Sequence, residues 1–296
     1  TLAAAGIGIL SFWLREPWAW GMFLAVQLLA TALLVWGAHV EPATLNLTQL
    51  DVISEKMSEG SDPIRLLHIS DLHIERLSRR EEAILTYIDE TEPDVILITG
   101  DYLNLSFNLD PEAYHQVHFF LSHLAAPQGV YAVLGTPTVD LWEVIAPIFD
   151  DLPVTLLRDE WREICWPDGR RLTLLGLDCT HDIDRDAQRL EKLAAGALPS
   201  VPDVLLYHSP ELIPQAAELG IDLYLCGHTH GGQVRLPVVG PLLTSSNLGR
   251  EYVMGHYQEG QTDLYVSTGV GLEGLSAPRV RLLAPPEITL VTLHSG

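Results

Sequence analysis

Positive charge is what this 296-residue chain has least of: 17 Lys and Arg stand against 39 Asp and Glu, a formal net charge of −22. That balance argues against a nucleic-acid partner, because binding to a phosphate backbone needs clustered Lys and Arg. It argues equally against electrostatic adhesion to an anionic lipid surface. A phosphate-bearing substrate would be drawn by bound metal, not by the surface field. Cysteine is scarce as well. Cys165, Cys179 and Cys226 are odd in number and follow no zinc or disulfide spacing. They read as core thiols, in keeping with a reducing compartment. Internal repeats and low-complexity tracts are also absent.

The shortage of cations is sharpest at the start, where Arg15 is the only Lys or Arg before Lys56. The positive-inside rule therefore has almost nothing to act on, and orientation stays open. Residues 21–40 form an apolar run broken only by Gln27, Thr31 and His39. Such a run is long enough to cross a hydrocarbon core of ~30 Å. Trp18 and Trp20 at one end and Trp36 at the other fall where an aromatic belt would lie. Ala38-His39-Val40 is a poor signal-peptidase site. A buried core helix is the alternative reading. The chain begins at Thr1, so the natural start is expected upstream, with residues 1–14 as the remnant of a first span and residues 15–20 as the turn of a helical hairpin. The expected organisation is one or two transmembrane segments over 1–40, an acidic linker over 41–62 carrying one short strand near 45–52, and a folded domain over 63–296.

Within that domain, short apolar runs alternate with stretches of helical spacing. Strands are expected at 64–69, 95–99, 130–134, 172–177, 204–207, 223–226 and 288–293, and a hairpin across 251–266 around Glu259-Gly260. Helices are expected at 79–90 with Ser78 as N-cap, at 110–124 with Pro111 in the first turn, and at 141–149, 186–194 and 210–219. Alternating βα units followed by β-rich segments predict two packed sheets flanked by helices.

Four of the strands end in residues suited to metal binding. The first is followed by Asp71 and His73, the second by Gly100-Asp101, a later one by His208, and the next by Gly227-His228-Thr229-His230-Gly231-Gly232. Carboxylate oxygen and imidazole nitrogen suit Mn, Fe, Zn or Mg. Asp71 and His73 are two apart, so alternation would put both on one face. Taken singly, Asp71 reads as a turn residue, Asp101 as an Asx-turn stopper and His208 as a core histidine. His228 and His230, flanking a single residue in a glycine-bounded loop, are harder to read that way. His68 reads as a core residue, His115, His118 and His123 as surface residues, and His181 as a loop residue that could approach the site.

The order Asp-x-His, Gly-Asp, Gly-Asn-His-Asp, His, Gly-His-x-His marks the calcineurin-like metallophosphoesterases, and residues 64–293 resemble that family. Its closing segment is matched by residues 264–269 and 284–288. The nearest look-alikes are membrane-anchored bacterial phosphoesterases, some acting on lipid-linked phosphodiesters or nucleotide-sugar diphosphates. The resemblance implies a four-layer α-β-β-α sandwich and two divalent ions. Carried over by position, Asp71, His73 and His230 match ligands of the first ion, Asp101 the bridging carboxylate, and His208 and His228 ligands of the second. Asp71, Asp101 and His228 are thereby the catalytic candidates. Two departures stand out. Thr136, Pro137 and Thr138 occupy the Asn-His-Asp positions, and Thr268 stands where family members often carry Arg. The implied activity is hydrolysis of a phosphomonoester, phosphodiester or diphosphate by a metal-bridging hydroxide, with a weakened second site and no histidine general acid. The implied setting is a bacterial cell membrane, with a phosphate-ester substrate that could be lipid-linked. The competing reading is a degenerate membrane-anchored domain that binds metal or phosphate without catalysis.

Overall fold

Apolar runs of four to six residues bounded by Gly, Asp and Pro are too short to be core helices, and they form the strands of two sheets. The computed structural model describes residues 17–273 and 279–296. A helix, α1 (Pro17–Val35), leads into β1 (Asn46–Ser54) and β2 (Ile64–Ile69). There follow α2 (Arg79–Thr91), β3 (Val95–Ile98), α3 (Pro111–Ser122), β4 (Val130–Ala132), α4 (Trp142–Ile145) and β5 (Val154–Leu156). Next come β6 (Glu160–Cys165), β7 (Arg171–Gly176), α5 (Ile183–Ala195), β8 (Asp203–Leu206), α6 (Ile213–Leu219) and β9 (Leu223–Cys226). The chain closes with β10 (Arg235–Leu236), β11 (Gly240–Pro241), β12 (Gly255–Glu259), β13 (Thr262–Val266) and β14 (Glu287–Ser295).

One six-stranded sheet has the order β1-β14-β2-β3-β4-β5 and the other β12-β13-β9-β8-β7-β6. Between them lies a shared core in which Leu66, Val95 and Leu97 of the first sheet meet Leu174, Val204, Leu206 and Leu225 of the second. The outer face of the first sheet, through Leu67, Ile69, Ile96 and Ile98, is covered by Ile84 of α2 and by Val117, Phe120 and Leu121 of α3. The outer face of the second, through Leu205, Tyr224 and Leu264, is covered by Leu190 and Leu193 of α5 and Ala216 of α6. This is the four-layer α-β-β-α sandwich. Strands buried on both faces explain why the motif-bearing runs are continuously apolar.

The helix starts follow the expected chemistry. The Ser78 side chain accepts from the Arg80 amide while Glu81 reaches back to the Ser78 amide, a capping box. Asp110 caps α3, with Pro111 in its first turn. The stretch expected as one helix over 141–149 divides into α4 and a 3-10 turn (Ala146–Phe149), where Pro147 interrupts the α hydrogen-bond ladder.

Two differences from the sequence reading concern the start of the domain. The segment 41–62 was expected to be a linker, yet its strand belongs to the sheet. β1 pairs in parallel with β14 over nine residues, from Asn46 with Glu287 to Ser54 with Ser295. The expected apolar span is helical and continues past α1 as a π-turn (Trp36–Val40) and a 3-10 turn (Glu41–Ala43). Residues 18–43 are long and apolar enough to cross a membrane, and only 6% of the most apolar window is buried against the protein. A core helix would be mostly covered, so that alternative loses its support. The proposed first span over 1–14, and residues 15–16 of the proposed turn, lie outside the described residues. Residues 17–20, expected as part of that turn, instead form the start of α1, where Pro17 at the first position costs no hydrogen bond.

Candidate metal centre

Parallel strands bring their C-terminal ends to one edge, and each candidate ligand sits two to four residues past such an end. Asp71 and His73 follow β2, Asp101 follows β3, His208 follows β8, and His228 and His230 follow β9. The backbone here is unusual. Asp71, His73, Asp101, His228 and His230 all have positive φ, between 41° and 70°. Non-glycine residues adopt that region at a cost of order 1–3 kcal/mol each and keep it only where surrounding structure enforces it. The enforcement is visible in the backbone. The Asp71 amide donates to Gly100 O at 3.0 Å and the His73 amide to Asp101 O at 2.9 Å. Gly100 and Gly135 pack backbone to backbone, so a Cβ on either would collide with the other strand tip or with Asp101.

Two overlapping groups result. Asp71, His73 and His230 offer ligand atoms within 4.8 Å of one another, as do Asp71, Asp101 and His208, and all are buried. His73 Nε2 lies 3.1 Å from His230 Nε2. Asp101 Oδ2 lies 3.5 Å from His73 Nε2 and 3.3 Å from His208 Nε2, so one carboxylate oxygen faces both groups. His228 is not in either triad. It is half-buried, and its Nδ1 is 3.4 Å from the Thr136 hydroxyl.

The donor set fits divalent metal. Hard or borderline oxygen and nitrogen donors converge, and their orientation is fixed from behind. His208 Nδ1 donates to Thr99 O at 2.6 Å, which leaves Nε2 free to face the cleft. His73 Nδ1 faces Glu273 Oε2 at 3.5 Å. Without metal, buried carboxylates and imidazoles must balance one another. Burial pushes the Asp71 carboxyl up, against the nearby His208. Burial also acts on Asp101, but His208, His73 and His228 outweigh it and pull its carboxyl below the usual range. His208 is raised well above the ordinary imidazole range because the charges of Asp101 and Asp71 outweigh its burial. His228 is pulled down to about 4 by burial and by His208. His230 is lowered by burial, His73 and Arg281. Neutral imidazole is the form that binds metal.

Three contributors were not among the sequence candidates. Asp140 is buried and accepts from the amides of Asp101 (2.8 Å), Tyr102 (3.0 Å) and Gly135 (2.7 Å), tying the tips of β3 and β4 together. Burial and Asp101 push its carboxyl up to about 7. Glu273 stands behind His73. Arg281 is fully buried and donates to the carbonyls of Thr268, Gly269, Gly271 and Ala284. Its Nη2 lies 3.3 Å from His230 Nδ1, so a guanidinium stands beside the site although position 268 is Thr. His181 does approach: its ring centroid is 4.9 Å from that of His228. His68 is a core residue bonded to the Thr99 hydroxyl.

The cleft over these ligands has a volume of about 440 Å³. Its walls include His73, Asp101, Thr136, His228 and His230, together with Leu105 and the largely exposed Leu243. Paired sheets that deliver Asp and His to one edge in this order define the metallophosphoesterase class, and comparison of the sequence agrees. The family model described as calcineurin-like phosphoesterase matches residues 64–232, and the chain belongs to that family. It is a hydrolase of phosphoric ester bonds. The chain is similar to the uncharacterized metallophosphoesterase YkuE of Bacillus subtilis, 30% identical over 95% of this chain and 98% of that one. It is also similar to the phosphodiesterase YaeI of Escherichia coli, 30% identical over 79% and 84%. A third relative is the UDP-2,3-diacylglucosamine pyrophosphatase LpxG of Chlamydia muridarum, 23% identical over 87% and 92%.

Proposed function

We propose that the chain is a membrane-anchored, two-ion hydrolase of phosphate esters with weakly basic leaving groups, a diphosphate bond in a lipid-linked substrate above all. The single observation that carries this reading is the pair of buried ligand groups that share Asp71 and are both faced by Asp101. Asp71, His73, Asp101 and His230 would hold the first ion, and Asp101, His208 and His228 the second. Bound divalent ions supply Lewis acidity and lower the pKa of water.

The chain's own residues set the substrate preference. Asp101 and Asp71 offer charge to the cations, while the Thr99 carbonyl and Glu273 hold His208 and His73 in the orientation that presents Nε2. At position 137 the proline side chain has no proton to give, so an alkoxide departing there gets no help. A departing phosphate is a much weaker base and needs none. That chemistry agrees with the pyrophosphatase named among the relatives. Residues 17–40 would be the anchor, and the hydrolase domain would run from about residue 41, since β1 is part of its sheet.

The test is hydrolysis of a p-nitrophenyl phosphodiester by the whole chain in detergent, with Mn supplied or removed by chelator. Metal-dependent turnover supports the reading. A folded, metal-loaded chain that cleaves neither this substrate nor a diphosphate would instead be a binding domain.

A further inference from the structure

Among the described residues, the largest run of exposed apolar side chains outside α1 is a hairpin beside the cleft. Residues 236–243 read Leu-Pro-Val-Val-Gly-Pro-Leu-Leu, with Val238 fully exposed at the tip and Val239, Leu242 and Leu243 largely exposed beside it. A soluble surface rarely concentrates so many large apolar side chains, and such a patch marks a contact. Its position identifies the partner. The Arg235 amide donates to Leu282 O at 2.9 Å, and Val234 forms a bridge with Leu282. One residue earlier, the Arg281 amide donates to Gly37 O at 2.8 Å, within the π-turn that ends the apolar helix. The Ala284 amide donates to Glu41 Oε1 at 2.7 Å, and Trp36 Nε1 donates to Glu41 Oε2 at 2.9 Å. A single segment, 280–284, is thus hydrogen-bonded to the helix end on one side and to the hairpin on the other. Leu283 within it is half exposed.

The hairpin is also joined to the metal loop. Gly232 follows His230 by two residues and packs so closely on Pro241 and Leu243 that a Cβ there would collide with both. Leu243 lines the cleft and is itself largely exposed, so the apolar hairpin forms part of the cleft wall that faces outward. We infer that the 235–243 hairpin is a second membrane contact: its apolar tip enters the interface beside the helix, and the cleft mouth meets the lipid surface. A lipid-linked substrate then reaches the ligands with its chain still in the bilayer. The contact is apolar, so the strong net negative charge does not oppose it on a neutral surface. This inference rests on the proposed anchoring and on a phosphoesterase site.

The experiment uses the full chain in phosphatidylcholine vesicles, in a Cys165→Ser background because Cys165 is exposed while Cys179 and Cys226 are buried. A nitroxide attached at Val238→Cys should be relaxed by lipid-soluble oxygen and shielded from a water-soluble nickel complex. Accessibility to nickel equal to that of a label at Glu259→Cys, the exposed last residue of β12, would overturn the inference. So would shielding that depends on protein density in the vesicle, which would mean a second copy covers the tip. In a second arm, Val238→Asp with Val239→Asp should lower kcat/KM about tenfold for vesicle-borne hexadecyl p-nitrophenyl phosphate. It should leave soluble methyl p-nitrophenyl phosphate within twofold. Equal loss on both, or loss on neither, would contradict the inference. If the parent chain cleaves neither compound, the phosphoesterase reading fails, and the nitroxide arm still decides whether the hairpin meets lipid.

Discussion

The hydroxyl oxygen of Thr136 lies 3.1 Å from Nε2 of His208. It is also 3.3 Å from Asp101 Oδ2 and 3.4 Å from His228 Nδ1, so it stands among the three residues assigned to the second ion. The Thr136 amide donates to Asp101 Oδ1 at 2.6 Å, which fixes the backbone there. The position expected to carry an amide ligand is therefore filled by a neutral hydroxyl, a weaker donor to a divalent ion.

Thr136→Asn should strengthen the weaker ion without disturbing the stronger one. Calorimetric titration with Mn is expected to show the second affinity raised on the order of tenfold, within the range by which shell changes alter metal binding. An unchanged second affinity would mean that the hydroxyl does not mark that site.

Replacing Thr136, Pro137 and Thr138 together by Asn, His and Asp adds a proton donor as well. Hydrolysis of alkyl phosphodiesters should rise about 10²-fold, the lower end of general acid catalysis, with a smaller gain for aryl and diphosphate substrates. Equal gains would show that the new histidine does not protonate the leaving group. A thermal melt must first establish that the variant folds.

Arg281→Met removes the guanidinium that ties together the carbonyls of Thr268, Gly269, Gly271 and Ala284. Those acceptors would be left in a dry interior, at a cost of about 3–5 kcal/mol. Denaturant unfolding should show the loss, and a change under 1 kcal/mol would mean that water or a shifted strap replaces the side chain.

Lys56 pairs with Asp203 at 3.1 Å and Asp222 at 3.0 Å, closing the start of β8 and the loop before β9 onto the segment after β1. Burial and the neighbouring Asp222 push the Asp203 carboxyl up to about 6, despite Lys56. A carboxyl raised in the folded state binds its proton more tightly there, so its contribution to stability falls as pH rises from about 4 to about 6. Lys56→Met should cost about 2 kcal/mol at pH 7 and clearly less at pH 5, where Asp203 carries a proton. A loss independent of pH across that interval would contradict the assignment.

What could be read from the sequence was local. Runs such as Val95–Ile98 and Leu223–Cys226, each followed within two residues by a glycine and then a ligand-type residue, carry strand, strand end and ligand together. Long-range partners left no such mark. Asp140 lies outside the motifs, and its role comes from three amides on two strand tips. Arg281 reaches His230 across 51 residues, because the strap before β14 folds back over the metal loop. β1 reads as linker because it is an edge strand with exposed alternate residues, and only its pairing with β14 brings it into the domain. β5, three residues long, and β6, half exposed, are too short or too polar to show a pattern.

The central claim is that Asp101 serves two ions, and metal content measures it most directly. Elemental analysis of the purified full chain should find two divalent ions per chain, the second lost readily to chelator. Asp101→Asn should lose both ions together with hydrolysis, and His230→Ala should lose at least the first. A folded parent chain without divalent metal, or an Asp101→Asn variant with full metal content and activity, would contradict the account.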